Sequence, residues 1–576
     1  MELGKQLDAS GRAWRGRLIC LLLLVLPARV PAQDSSAVTG QISSVKELYD
    51  AGQWEAVVEA TPETSEEPAE LELYRGLALA RLERWADAQR AFEAGLARSP
   101  RDTRFFDELA GLAYREKELW RTERLLRRAL RINPNDDYAN DLLATSYFLE
   151  GNLEAALKYW NRVGKPRLSD LLFSPQPRVK PIILDRAFEF SRGAAWQRNQ
   201  FLTTRALLGN LHIFSGMRFD LEAQPDDTFH LVFDSVEKGP WGSSKWEGLL
   251  SLLRGLPYQT VYPEIFNLNR SGLNWLSSLR WDREKRRVFS EVAAPLGDDP
   301  KWRYRIYFDA RNENWNLTNT FLPSLPSPTG LNLEKATGGI ELQSIVSGRW
   351  SWSAGLAYSY RTFRNLQGLP LQAGTFFTSG SSFSYQARVA RSLVRFPERR
   401  FTLDSSATGE IGTFLSGPLG RYGRLEGDLQ STWLPQARGD DYEIQGRLRG
   451  GRTFGEVPFD EFFVLGFDRD TDLWMRGHPG LAGGEKGNAP LGRGYVLANW
   501  EVSKIVHSGP FVVLKVGPFV DTGQVYDSSG YFGSRKWLWD TGVQVKVRIL
   551  GSFEFVVGYG KDLRSGNNSI FTTVTP

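Results

Sequence analysis

From about residue 250 to its end the chain alternates polar and apolar side chains, and that period of two commits it to β-structure. Trp302, Tyr304, Ile306, Phe308 and Ala310 share one parity, against Arg303, Arg305, Tyr307, Asp309 and Arg311. The pattern returns in Trp350, Trp352, Ala354, Leu356, Tyr358 and Tyr360 against Ser351, Ser353, Gly355, Ala357, Ser359 and Arg361. It returns again in Tyr442, Ile444, Gly446 and Leu448 against Glu443, Gln445, Arg447 and Arg449, and in Val543, Val545, Val547 and Ile549 against Gln544, Lys546 and Arg548. Successive residues of a strand face opposite sides of the sheet, so each run has one apolar and one polar face. A half-buried soluble sheet also alternates, and a large soluble β-domain is the alternative reading. The number of runs, their length of about ten residues and their polar connectors match the strands of a transmembrane barrel. Thirteen of the 19 tryptophans follow residue 240, several near strand ends where interfacial girdles sit. In lipid such a sheet has to close, because an open edge leaves backbone groups unpaired.

The remaining membrane signals are weak. The one continuous apolar run, Leu18 to Leu26, is far shorter than the roughly 20 residues of a spanning helix. It follows Arg12, Arg15 and Arg17 and leads into Val30-Pro31-Ala32, the layout of a secretory signal peptide over 1–32. Cleavage there removes Cys20, the single cysteine, and leaves neither disulfides nor thiolate metal sites. It also removes five basic and two acidic groups, so the net charge falls from +4 to +1, a balance that points away from nucleic acid.

Residues 41–168 are rich in Ala, Leu, Glu and Arg and read as helical. Gly76, Ala110 and Ala144 recur every 34 residues, as do Ala88, Thr122 and Ala156, and Phe92, Leu126 and Trp160, with Pro100 and Pro134 closing two units. This resembles the tetratricopeptide repeat, in which small residues let paired helices approach and a large one fills the gap. A coiled coil is the alternative. Such stacks present a concave surface to a peptide or protein.

After Pro166 a Pro-, Lys- and Arg-rich linker is expected through about Lys180. Residues 181–238 then read as a strand (Ile182 to Phe190), a helical stretch (Ala194 to Leu208) and two strands (Met217 to Ala223, Thr228 to Val236) around the turn Gln224-Pro225-Asp226-Asp227. With Gly216 and the closing Phe233-Asp234-Ser235-Val236-Glu237, this order resembles a POTRA module, an ordinary α/β connector being the alternative. A POTRA-like sheet edge implies pairing with an extended client chain.

The most specific stretch begins with Pro458-Phe459-Asp460-Glu461-Phe462-Phe463-Val464-Leu465-Gly466 and continues with Leu473-Trp474-Met475-Arg476-Gly477-His478. Gly492-Arg493-Gly494-Tyr495, Asn499-Trp500-Glu501, Phe519-Val520-Asp521-Thr522-Gly523 and Tyr559-Gly560-Lys561-Asp562-Leu563-Arg564 follow. Together these resemble the C-terminal barrel of the BamA- and TamA-like bacterial surface antigen superfamily. The resemblance implies a multidomain chain: all-α repeats, a small α/β module and, over 245–576, an antiparallel transmembrane barrel of sixteen strands. It further implies that a loop folds into the barrel and carries Arg476 and Gly477 toward Glu501 and the Phe519, Asp521 and Gly523 motif. Parity agrees, since Lys515, Phe519, Asp521 and Gly523 share one face while Val512, Leu514, Val516 and Val520 share the other. Asn499 and Glu501 likewise oppose Ala498, Trp500 and Val502. An Arg–carboxylate pair in the lumen would pin the loop. Two departures stand out: His478 occupies a position usually aromatic, and the chain closes on Thr573-Val574-Thr575-Pro576 rather than an aromatic.

No enzyme signature is present, and no cofactor is expected. His212, His230, His478 and His507 lack metal-ligand spacing and read as surface or turn residues. The expected role is assembly, insertion or translocation of proteins at a bacterial outer membrane. Its partners would be unfolded or partly folded outer-membrane or secreted clients, a periplasmic protein on the repeats, and membrane lipids. A pore or surface-binding barrel, and a membrane-anchored periplasmic scaffold, are the competing readings.

Overall fold

The computed structural model describes residues 34–62, 68–238 and most of 249–575, the longest gaps in the last span being 318–329 and 368–375. The expected leader, 1–32, lies outside the described residues. No helix among them is long and apolar enough to cross a membrane. Contacts divide the chain into two compact units, 1–116 and 117–576. The expected helical domain spans parts of both.

The first unit holds α1 (Asp34–Asp50), α2 (Trp54–Ala60), α3 (Ala69–Arg81), α4 (Trp85–Arg98) and α5 (Thr103–Arg115). Its helices approach closely because glycine sits where they touch. A Cβ on Gly76 would stand 2.4 Å from the Phe92 ring, and one on Gly95 2.2 Å from the Phe105 ring. The second unit begins with α6 (Leu119–Ile132), α7 (Asp137–Leu149) and α8 (Leu153–Trp160). Asp136 and Asn152 cap α7 and α8 by accepting from the Ala139 and Ala155 amides. All the residues of the 34-residue period, from Gly76 and Phe92 to Ala156 and Trp160, are buried. The period therefore marks the packed faces of the helices.

A three-stranded sheet follows, in the order β1 (Leu168–Ser174), β3 (Phe229–Glu237), β2 (Phe214–Ala223), with β1 parallel to β3. Helices α9 (Pro181–Ala187) and α10 (Arg198–Asn210) lie between β1 and β2 in sequence. The strand expected over Ile182 to Phe190 is thus largely helix, and the sheet takes its first strand from 168–174, inside the stretch expected to be linker. Pro181 fits the first helical turn, where a missing N–H costs nothing. Ile183, Leu184 and Ala187 bury one helical face, so the apolar run there has helical rather than strand spacing. Phe188, Phe219 and Phe233 meet at ring separations of 5.1–6.4 Å and form the aromatic core.

The rest closes into a barrel. Its circuit begins with the interrupted pair β4 (Thr260–Val261) and β5 (Glu264–Leu268), both hydrogen-bonded to β6 (Leu273–Trp281). It continues through β7 (Lys285–Leu296), β8 (Asp299–Trp315), β9 (Gly330–Ser347), β10 (Trp350–Gln367), β11 (Gly380–Phe396), β12 (Phe401–Phe414), β13 (Arg421–Trp433) and β14 (Tyr442–Gly455). Short strands β15 (Phe463–Val464), β16 (Leu481–Ala482), β17 (Glu485–Lys486) and β18 (Leu491–Gly492) belong to the long connection that follows. The wall resumes with β19 (Gly494–Ser508), β20 (Val512–Tyr526), β21 (Leu538–Ile549), β22 (Phe553–Asp562) and β23 (Asn568–Thr575). Successive long strands pair antiparallel. The expectation of sixteen strands over 245–576 reaches into 245–259, largely outside the described residues. Ile306, Phe308, Tyr358, Leu448, Trp500 and Val543 are exposed on the outer wall, whereas Arg361, Phe519 and Asp521 on the opposite parity are buried.

Helix α8 and the small sheet are tied to one end of the barrel. Glu154 accepts from Arg198 of α10 at 2.8 Å and from Arg395 of β11 at 2.7 Å. Lys158 and Tyr159 both reach Glu398 in the β11–β12 turn, and Asn152 donates to the Pro397 carbonyl at 2.8 Å. Lys180 pairs with Asp298 at 2.9 Å, and Thr203 accepts from the Gly348 amide at 3.0 Å.

Two predictions follow from the helices. Alanine is the better helix former, yet Gly95→Ala should lower the helical melting transition of the purified chain at 222 nm by about 1–3 kcal/mol through overpacking against Phe105. Gly40→Ala, in open space on α1, should instead raise it by up to about 1 kcal/mol. The second concerns Glu123 of α6, whose carboxyl burial and the facing Glu150 push up to about 8 despite Arg127 3.2 Å away. The folded state keeps this proton while the unfolded chain loses it, so helical stability should fall between about pH 4.5 and 8. Glu123→Gln should flatten that decline, and an unchanged pH slope would contradict it.

Candidate functional site

The connection between β14 and β19 turns back into the barrel. Phe463, Leu465, Leu473 and Met475 of this segment pack with Tyr495 and Leu497 of β19, Val525 of β20 and Leu538 of β21. Phe459 and Phe462 join Trp315, Phe363, Phe414 and Tyr422 from other walls in a second cluster. Apolar contact alone is non-directional; groups of opposite charge fix where the segment sits.

The first group gathers the sequence-predicted residues. The Arg476 guanidinium grips Asp521 as a fork, Nε donating to Oδ2 at 2.9 Å and Nη2 to Oδ1 at 2.6 Å. Its Nη1 donates to Glu501 Oε2 and to Gln544 Oε1, both at 3.0 Å. Its backbone amide donates to Asp521 at 2.9 Å, and its guanidinium lies 3.8 Å from the centre of the Phe519 ring. Asn499 donates to Asp521 at 2.7 Å and to the Trp474 carbonyl at 2.8 Å. Lys546 completes the shell of Glu501. Arg476 is 3% exposed and Asp521 not at all, so water cannot replace either partner. Gly477 has no room for a side chain, since a Cβ there would stand 2.7 Å from the Asp540 carboxyl and 2.8 Å from the Asp562 amide. Gly523 is tight for a similar reason, 2.7 Å from the Val496 carbonyl of β19. All six predicted residues thus lie on or beside one contact between loop and wall.

Two further anchors went unrecognised in the sequence. Lys335 of β9 pairs with Asp460 and Glu461, each at 2.7 Å, and Arg361 of β10 lies 3.3 Å from Asp460. Arg424 of β13 adds a 3.5 Å contact to Glu461. Lys486 meets Asp468 at 3.0 Å and Glu313 of β8 at 3.5 Å, while Lys285 of β7 holds Glu313 at 2.8 Å. The available signal was parity: Lys335, Arg361 and Gln544 fall on polar faces, but parity does not name a partner a hundred residues away. His478, expected at a surface or turn, bonds Asp540 through Nδ1 at 3.0 Å and stands 3.4 Å from Asp562, because the loop around it points inward. His212 and His507 are exposed and His230 is half-buried.

Buried ion pairs are costly to form, and costlier to break on one side. Arg476→Ala leaves a fully buried Asp521 without its cation, so the folded barrel should lose about 3–5 kcal/mol in a denaturant titration. The segment around 471–480 should become open to protease. Arg476→Lys, which keeps the charge but not the fork, should fall between. Equal stability and protection in all three chains would contradict this energetic role.

No family model and no curated relative matches this chain. Among solved structures it is similar to BamA from Haemophilus ducreyi lacking POTRA domains 1–3, at 13% identity and a TM-score of 0.41, over 71% of this chain and 84% of that one. It is also similar to CdiB from Escherichia coli, at 11% identity and a TM-score of 0.48, over 71% and 76% of the two chains. For CdiB from Acinetobacter baumannii the figures are 13% and 0.44, over 78% and 81%.

Proposed function

We propose that this chain assembles, inserts or translocates proteins at a bacterial outer membrane, with its helices and small sheet on the periplasmic side. The observation that carries the reading is the occupied lumen. A segment tied by Arg476, by Asp460 and Glu461, and by Lys486 crosses the space a solute would need. In this reading Arg476 and Gly477, with Glu501, Phe519, Asp521 and Gly523, form a lock that holds the segment across the barrel.

The small sheet supports the same reading. Strand β2 is hydrogen-bonded to β3 on one side and ends the sheet on the other. An extended, partly folded client can add there through backbone hydrogen bonds, which tolerate many sequences. Work would come from the client's own folding, without cofactor or nucleotide. The helical repeats would hold a periplasmic protein partner.

Depletion of the protein should lower the outer-membrane levels of other barrel proteins, or the surface exposure of a secreted partner. Unchanged levels of all of them would overturn the proposal. In planar bilayers the purified chain should give no stable wide conductance, whereas a steady large current would favour a pore.

A further inference from the structure

His478, Asp540 and Asp562 come together where the loop meets the last strands of the wall. One ligand atom from each lies within 4.8 Å of the others. We propose that these three residues bind one divalent transition-metal cation, zinc being the best fit, with water completing its coordination. The site adjoins the Arg476 lock through Gly477, whose amide donates to Asp540, but uses different ligands and is independent of the protein-handling proposal.

The donor set carries the assignment. One imidazole nitrogen with two carboxylate oxygens suits zinc, whose three-protein-ligand sites leave one position open. Calcium and magnesium favour cages of oxygen alone. Charge points the same way. With a neutral ring the cluster places two carboxylates side by side, and Asp540 is fully buried. Both its oxygens crowd the same ring nitrogen, Oδ1 at 2.9 Å and Oδ2 at 3.0 Å. A single N–H satisfies at most one of them, and Oδ1 accepts no hydrogen bond. Arg476, the nearest cation along the loop, is committed to Asp521 and Glu501. Buried anions of this kind need a cation.

The ligands are also held in place, as outer-shell contacts hold metal ligands elsewhere. The Gly477 amide donates to Asp540 Oδ2 at 2.6 Å. Asp562 accepts from the Arg564 and Ser565 amides at 2.9 and 3.2 Å and from Ser565 Oγ at 2.5 Å. The His478 amide is fixed on the Met475 carbonyl at 3.0 Å. Asp562 ends β22 and Asp540 lies near the start of β21, so the cluster is at the barrel end opposite α8 and the small sheet. The His478 side chain is 16% exposed, enough for an ion to arrive. A cation there would join the loop to β21 and β22, whereas the Arg476 guanidinium joins it to β19, β20 and Gln544 of β21.

The test uses the full chain without a histidine tag, purified in detergent, stripped with chelator and titrated with zinc chloride in a calorimeter. The expected result is one zinc ion per chain, with cobalt giving a visible d–d absorption band at the same stoichiometry. His478→Phe and Asp562→Asn should each weaken zinc binding by roughly a hundredfold or more, exceeding the loss from an outer-shell change. Ser565→Ala leaves all three ligands in place and should weaken it by about 10–100-fold. Far-UV dichroism of each variant checks that the barrel is folded. The proposal is overturned if the wild-type chain shows no saturable zinc binding. It is equally overturned if affinity is unchanged in folded His478→Phe and Asp562→Asn, or if calcium competes on equal terms.

Discussion

A strand in lipid has no water to satisfy its backbone, and the whole C-terminal architecture depends on that constraint. It forces the sheet to close, and closure sends one parity outward and the other into a lumen. Apolar residues such as Ile306, Phe308 and Trp500 take the outside. The charged parity is left inside, where Asp521, Glu313 and Arg361 lie away from solvent and need partners. The β14–β19 segment supplies them. It brings a cation to the acids of β19 and β20, acids to the cations of β9, β10 and β13, and a lysine to Glu313. At each anchor the loop carries the sign opposite to that of the wall. The segment that obstructs the lumen is therefore also what makes the lumen's charges tolerable.

Much of this was legible in the sequence, for reasons that also explain the misses. Alternation depends only on neighbouring residues, so the strand faces around Trp302, Tyr358 and Asp521 could be read directly. The place of Arg476 came from a motif in a fixed order with Glu501 and Asp521. Its further partners Gln544 and Ser569 lie far along the chain; parity puts Gln544 on a polar face, but nothing local names its partner. Asp460 and Glu461 stood in a recognised motif without an assigned role, because their cations come from strands before them in sequence. The strand expected at Ile182 to Phe190 failed differently. A short apolar run fits either period, and Pro181 with the face formed by Ile183, Leu184 and Ala187 decides for helix. The true strand, Leu168–Ser174, was masked by the prolines and basic residues around it.

The attachment of α8 gives the proposed function a mechanical basis. Glu154 serves α10 and β11 at once, and Glu398 in a barrel turn receives both Lys158 and Tyr159. Burial raises the cost of ionising Glu154, but the guanidiniums of Arg395 and Arg198 outweigh it and hold the carboxyl below its usual range. A client held at α8 or by the edge of β2 would thus be presented to a barrel end from a fixed direction, rather than on a free tether.

The central claim is that the β14–β19 segment is held inside the barrel by its ionic contacts. Hydrogen exchange in the folded, detergent-solubilised chain tests it most directly, because the Arg476 and Gly477 amides donate to Asp521 and Asp540. The account predicts protection of these two amides comparable to that of β20, lost for both when Asp521 is replaced by alanine. Exchange of both amides at the rate of an open loop in the unaltered chain would contradict it.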